Sequence, residues 1–147
     1  MNFTTFLEKN DYTVTKLGSL ETLEINDIPI KKGVYIFCST STKFIYPNST
    51  SNVIYIGKAD NLQTRLKRHQ FHLVNIKSYA EKEKHSYWTK SLYNYLDKHG
   101  DNVYFISAEK NKNAHNLEGD IFEVFFKEYL SIPVGNGAYY SGKKNRK

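Results

Sequence analysis

The chain has 147 residues, of which 39% are apolar and 15% aromatic, enough for the core of one domain of ordinary size. It contains no apolar run long enough to span a bilayer, and its N-terminus lacks the pattern of a secretion signal, so we expect neither. Its single cysteine, Cys38, excludes an internal disulfide and a cysteine-rich zinc site, and predicts an intracellular, cytoplasmic protein.

The net charge of +6 is unevenly distributed along the chain. Residues 1–30 carry five acidic residues against two lysines, whereas the rest carries 19 Lys and Arg against ten Asp and Glu. We therefore divide the chain into an acidic N-terminal extension (1–30), one domain (31–140) and a basic tail (141–147). A basic body favours polyanionic partners, above all nucleic acid.

The first two strands of the domain are predicted at residues 33–37 (GVYIF) and 53–57 (VIYIG), which are continuous β-branched and aromatic runs. The polar connection between them predicts antiparallel pairing across a wide hairpin. Because side chains alternate along a strand, Tyr35 and Phe37 share one face of the sheet. The same alternation is expected to place three residues of the second strand on one face: Val53, Tyr55 and Gly57.

A helix, a second helix, a strand and a third helix are predicted to follow, at residues 60–73, 86–99, 102–107 and 113–131. Asp60 or Asn61 is the N-cap of the first helix, and Ser86 that of the second. Gly100 ends the second helix, and the third stops near Pro133. The order β-β-α-α-β-α predicts an α+β fold with a small three-stranded, antiparallel-rich sheet flanked by helices.

Several short motifs occur on these elements in a fixed order. They are GVY (33–35), YIG (55–57), Arg65 with His69 four residues later, AHNLEGDIF (114–122) and PVGN (133–136). In this combination the chain resembles the GIY-YIG nucleases over residues 31–137, about three-quarters of its length. The first tripeptide departs from the family pattern only by Val34 in place of isoleucine, which conserves the character of a strand residue.

The resemblance implies hydrolysis of DNA phosphodiester bonds with one divalent metal ion, Mg²⁺ or Mn²⁺. Glu118 would be the metal ligand, and a single carboxylate is enough because Mg²⁺ keeps most of its waters. Arg65 can offer a planar fork of donors to the phosphate oxygens. Tyr35 and Tyr55 can hold a water or move a proton. The general base stays open between Tyr35, which the resemblance favours, and His69, which titrates near neutrality.

Three further residues are expected at the substrate. Gly57 permits close approach of the chain to a phosphate, Lys58 follows it, and Asn136 closes the motif of the family. Additional phosphate contacts, which would not read sequence, are predicted from basic residues outside the centre. These are Lys67, Arg68, Lys77, Lys82, Lys84 and the tail residues Lys143, Lys144, Arg146 and Lys147.

A second glutamate, Glu123, competes with Glu118 for the role of metal ligand. The distance along the chain to Asn136 favours Glu123, which lies nearer the interval usual in the family. Helical phase favours Glu118, because it aligns with the apolar face of its helix. Glu123 instead aligns with Lys127, which predicts an i,i+4 pair on the surface.

We therefore expect an endonuclease in restriction, homing or repair, and the sequence does not choose among these roles. Target choice would come from the loops at residues 39–52 and 72–86, from a second copy of the chain, or from a targeting partner protein. The alternative is a nucleic-acid-binding module that has this fold and no catalytic activity.

Overall fold

The structure, a computed structural model, describes residues 2–75, 87–109 and 112–136, and for residues 87–89 the backbone alone. The helices are α1 (Phe3–Lys9), α2 (Leu62–Val74), α3 (Tyr87–His99) and α4 (Ala114–Tyr129). The strands are β1 (Thr15–Gly18), β2 (Gly33–Cys38), β3 (Phe44–Ile45), β4 (Thr50–Ser51), β5 (Val53–Ala59) and β6 (Asn102–Ser107). Some predicted features lie outside the described residues: the Ser86 cap, Lys77, Lys82, Lys84 and the tail 141–147.

The fold is α+β, and the order β-β-α-α-β-α is confirmed for β2, β5, α2, α3, β6 and α4. The main sheet is antiparallel, with strand order β1-β6-β2-β5. The prediction of three strands was wrong, because β1 pairs with the outer edge of β6 as a fourth strand. This strand has four residues, TKLG, and one large apolar side chain, so it lacks the alternating pattern that identifies a strand. Strands β3 and β4 form a separate small hairpin in the loop between β2 and β5.

The pairing of β2 with β5 sets which side chains share a face. Tyr35 lies opposite Gly57, and Phe37 lies opposite Tyr55. The register then shifts, so that Val53 pairs with Cys38. Tyr55 and Gly57 share a face as predicted, but Val53 packs on the opposite face, because an irregularity in an antiparallel pair reverses the alternation beyond it.

Helices cover both faces of the sheet and form two apolar cores. On one face, Tyr35 and Phe37 pack against leucines of α2 and α3. On the other face, Val34 and Ile36 pack against α4 and α1. Every residue of β2 is buried, which explains its continuous apolar sequence.

Residues 2–30 contribute to both cores. Phe3 of α1 packs edge-on against Phe125 of α4, with 5.0 Å between the ring centroids. Leu20 is fully buried in the core formed with α2 and α3. The predicted small helix near the N-terminus is present as α1.

The helix ends have identifiable causes. Asn61 is the N-cap of α2, and its side chain accepts a hydrogen bond from the Thr64 amide at 3.2 Å. Asn113 caps α4 in the same way. Helix α3 ends before Gly100, which has a φ of +71° that glycine adopts without strain. None of the helices in the described segments has the length and apolar composition that crossing a bilayer would require.

Candidate active site

Two tyrosines from neighbouring strands lie side by side on the α2 face of the sheet. The rings of Tyr35 and Tyr55 are 6.1 Å apart between centroids. Gly57 makes this arrangement possible, because a Cβ atom at that position would lie 2.5 Å from Tyr35 Oη and 2.7 Å from Tyr55 Cε2. Gly57 is therefore required by the phenol rings themselves, in addition to any approach of a substrate.

His69 joins Tyr35 to a third tyrosine that the motifs did not indicate. Its Nε2 is hydrogen-bonded to Tyr35 Oη at 2.8 Å, and its Nδ1 is hydrogen-bonded to Tyr93 Oη at 2.8 Å. His69 lies on the buried stripe of α2 with Leu62, Leu66 and Leu73, which aims its ring at the sheet.

Sequence reasoning missed Tyr93 because this residue lies in none of the motifs of the family. The structure buries Tyr93 and leaves Tyr95 partly exposed. The signal available in the sequence was the spacing of Tyr93 and Leu96, three residues apart on one side of the helix.

Burial controls the protonation of this cluster. It raises the pKa of Tyr35 well above its ordinary value, and the neighbouring Tyr55 acts in the same direction. Arg65 opposes this shift through its charge and a hydrogen-bonding interaction with the phenol. Burial lowers the pKa of His69 to about 3, reinforced by the charge of Arg65. At neutral pH the Tyr35–His69 pair is therefore a neutral phenol and a neutral imidazole.

Arg65 lies over the outer edge of β5. Its Nη1 donates to the carbonyl oxygen of Lys58 at 3.4 Å, a long and weak hydrogen bond. Arg65, Lys58 and Tyr55 are partly exposed, whereas Tyr35 has no exposed surface. The outer layer of the cluster is thus Tyr55 and Arg65, and Tyr35 lies one layer beneath it.

Asn136 has different partners from those expected. Its side chain is fully buried, its Oδ1 accepts from the Ile56 amide and its Nδ2 donates to the Ile56 carbonyl, both at 2.9 Å. The adjacent Gly135 amide donates to the Ile54 carbonyl at 2.7 Å. These bonds pair the outer edge of β5 as a further strand would. The structure therefore argues against a substrate contact for Asn136, and we propose that it positions β5.

Gly135 and Asn136 pair with β5 at Ile54 and Ile56, and Asn136 does not cover the edge of the strand at Lys58. Outward-facing backbone groups recur at every second residue of an edge strand, so the Lys58 carbonyl faces the same edge as those of Ile54 and Ile56. Arg65 already reaches this carbonyl from the α2 side. The end of β5 is consequently an edge of the sheet that a side chain of α2 reaches.

Glu118 lies on α4, which packs on the other face of β2 and β5. It is a buried carboxylate, 6% exposed. Glu123 instead has a side chain that is 65% exposed, and it pairs with Lys127 at 3.4 Å, as predicted. The structure thus brings together Tyr35, Tyr55, Arg65 and His69, and places Glu118 in the layer beyond the sheet.

Within residues 2–75, 87–109 and 112–136, no group of three or more His, Cys, Asp or Glu side chains is arranged to hold a metal ion. A site in which Glu118 is the single protein carboxylate needs no such group, because Mg²⁺ and Mn²⁺ retain several waters. On α2, Lys67 and Arg68 are exposed, as phosphate-contacting residues must be.

Comparison with known proteins identifies the family of the chain. A family model described as GIY-YIG domain-containing protein matches residues 8–137. The chain therefore belongs to the GIY-YIG family, whose function is of the nuclease type. The match begins well before residue 31, so it includes most of the stretch predicted as an extension. A search of curated proteins found no match, and neither did a search of solved structures.

Proposed function

We propose that the protein is a divalent-metal-dependent endonuclease that hydrolyses phosphodiester bonds of DNA at the end of β5. The observation that carries this proposal is the Tyr35–His69 hydrogen bond of 2.8 Å with Arg65 placed above it on the strand edge. A proton acceptor pair beside a guanidinium is the combination that attack of water on a phosphate needs. The cellular role would be restriction, homing or repair.

The substrate phosphate would first meet the partly exposed Arg65. We propose that the phosphate draws the guanidinium away from the Lys58 carbonyl, because a bidentate bond to an anion is stronger than a 3.4 Å bond to a neutral oxygen. That movement would open a path to the Tyr35 hydroxyl beneath. Tyr55, also partly exposed, would hold the attacking water or a phosphate oxygen.

The proton transfers can be written for the residues of this chain. Water attacks phosphorus and gives its proton to Tyr35 Oη, while Tyr35 passes its own proton to His69 Nε2. The phosphodiester bond to the leaving oxygen breaks, and Arg65 stabilises the charge on the nonbridging oxygens. Glu118 would hold Mg²⁺ or Mn²⁺, which when bound supplies positive charge at the phosphate.

The test is cleavage of supercoiled plasmid with Mg²⁺ or Mn²⁺, by the unchanged protein and by Arg65→Ala. We expect nicked and linear DNA from the unchanged protein, none after chelation of the metal, and a loss of roughly 10²-fold or more in Arg65→Ala, which lacks the charge at the phosphate. The matched control is Arg68→Ala, from an exposed position on the same helix. It should cleave at a similar rate at low salt and bind DNA with weaker salt dependence.

A nucleic-acid-binding module without activity is the second candidate. It is favoured by one observation, the complete burial of Tyr35 beneath Arg65 and Tyr55. If no DNA is cut under any metal condition while salt-sensitive binding persists, this second function replaces the first.

A further inference from the structure

His69 is held at both ring nitrogens by hydroxyl groups from different elements. Tyr35 of β2 lies 2.8 Å from Nε2, and Tyr93 of α3 lies 2.8 Å from Nδ1. Tyr93 is outside every motif that identifies the family in this sequence. It is 5% exposed, so it does not offer a surface for DNA.

The two bonds cannot have the same polarity. A neutral imidazole carries one N–H donor and one lone-pair acceptor, and burial keeps the pKa of His69 at about 3, so the ring is neutral near pH 7. One tyrosine must therefore donate its proton to His69, and the other must accept the proton of His69.

The surroundings of Tyr35 decide which tyrosine donates. Its hydroxyl is fully buried and interacts with Arg65, whose guanidinium has donors only and cannot take the proton of Tyr35. Tyr35 therefore donates its proton to Nε2 of His69, which lies 2.8 Å from the hydroxyl oxygen. The proton of the imidazole then lies on Nδ1 and is donated to Tyr93.

We propose that Tyr93 is a positioning residue that fixes His69 as the Nδ1–H tautomer. In this tautomer Nε2 is free to receive the proton that Tyr35 releases when it deprotonates water. The inference rests on the proposed nuclease function for its catalytic meaning. The tautomer itself is a property of the free protein.

The proposed role is part of a proton transfer from Tyr35 to His69. Nε2 gains the proton of Tyr35, and the resulting imidazolium keeps its Nδ1–H bond to the Tyr93 oxygen. Without that oxygen, the buried Nδ1–H loses the acceptor that Tyr93 provides, so the imidazolium that forms when Nε2 takes a proton is less stable. Nε2 would then be a weaker acceptor for the proton of Tyr35.

Tyr93→Phe removes the hydroxyl and keeps the ring. We expect nitrogen NMR of the His69 ring in the unchanged protein to show a protonated Nδ1 and an unprotonated Nε2. In Tyr93→Phe the Nδ1 signal should shift, because its proton loses the Tyr93 acceptor. The kcat for plasmid cleavage should fall roughly 10-fold or more, with DNA affinity unchanged, because general base catalysis is impaired while the binding surface is intact.

Tyr95→Phe is the matched control, because Tyr95 is on the same helix and packs against Phe44 at 5.7 Å between ring centroids. It should leave the His69 signals and kcat unchanged. A protonated Nε2 in the unchanged protein, or His69 signals that do not respond to Tyr93→Phe, would overturn the proposal. If the signals respond as expected but no variant cuts DNA, the nuclease function fails and the tautomer assignment stands.

Discussion

Glu118→Gln is expected to lower metal-dependent DNA cleavage by roughly 10²- to 10³-fold, a typical effect of removing one electrostatic group from a catalytic site. Glutamine has the same shape but no charge, so it cannot hold a hydrated divalent cation as the carboxylate would. Glu118 is 6% exposed on the side of α4 that packs on β2 and β5, close to the strand that carries Tyr55 and Gly57. Cleavage rates at several Mg²⁺ concentrations, with DNA affinity measured separately, check this prediction.

Glu123→Gln on the same helix provides the matched control. Its side chain is 65% exposed, and its 3.4 Å pair with Lys127 is of the exposed kind that contributes little to stability. We expect a cleavage rate within about twofold of the unchanged protein, typical of an exposed position without a catalytic contact. The reverse pattern, with Glu123→Gln inactive and Glu118→Gln active, would assign the metal to Glu123.

Gly57→Ala is expected to have the second largest effect. The new Cβ would lie 2.5 Å from Tyr35 Oη, which is a steric clash, so the ring of Tyr35 must move. The Tyr35 side chain is fully buried between the sheet and α2, and it has no space to move without disturbing His69. We expect cleavage to fall roughly 10²-fold, because displacement of a catalytic group by about 1 Å has this effect. Overpacking should also destabilise the fold by about 1–3 kcal/mol.

Gly119→Ala tests whether any glycine-to-alanine change has these effects. A Cβ at this position of α4 meets no atom within 4 Å, and alanine favours a helix by about 0.5–1 kcal/mol over glycine. The variant should be as active as the unchanged protein and melt at the same or a higher temperature. A Gly57→Ala protein with normal activity and stability would show that the Tyr35 ring is not constrained as described.

Much of the fold follows from local patterns in the sequence. Strands β2 and β6 are continuous apolar runs, and their predicted bounds agree with the structure to within one residue. The Asn61 cap and the Gly100 stop of the helices are equally local signals. Strand β1 and the register shift that turns Val53 to the other face depend on pairing between distant segments, and no local pattern encodes them.

The residues of the candidate site were predictable from the sequence, but some of the hydrogen bonds that connect them were not. Side chains alternate along β2 and β5, and Arg65 and His69 are four residues apart on one helix. Together these patterns predict that Tyr35 and Tyr55 face Arg65 and His69. The hydrogen bond to Tyr93 arises from the packing of α2 on α3, which sequence periodicity does not determine. The hydrogen bonds of Asn136 to β5 were missed for a similar reason, because they join two segments that are distant in the sequence.

A crystal structure of the protein with a short DNA duplex and Ca²⁺, which occupies Mg²⁺ sites without supporting cleavage, tests the proposed site most directly. We expect Ca²⁺ bound by Glu118, with one DNA phosphate contacting both the ion and the Arg65 guanidinium beside the end of β5. Arg65 should have left the Lys58 carbonyl, and the Tyr35 hydroxyl should be accessible to that phosphate. A complex with DNA bound on another face, Arg65 still on Lys58 and no cation near Glu118 would contradict the proposal.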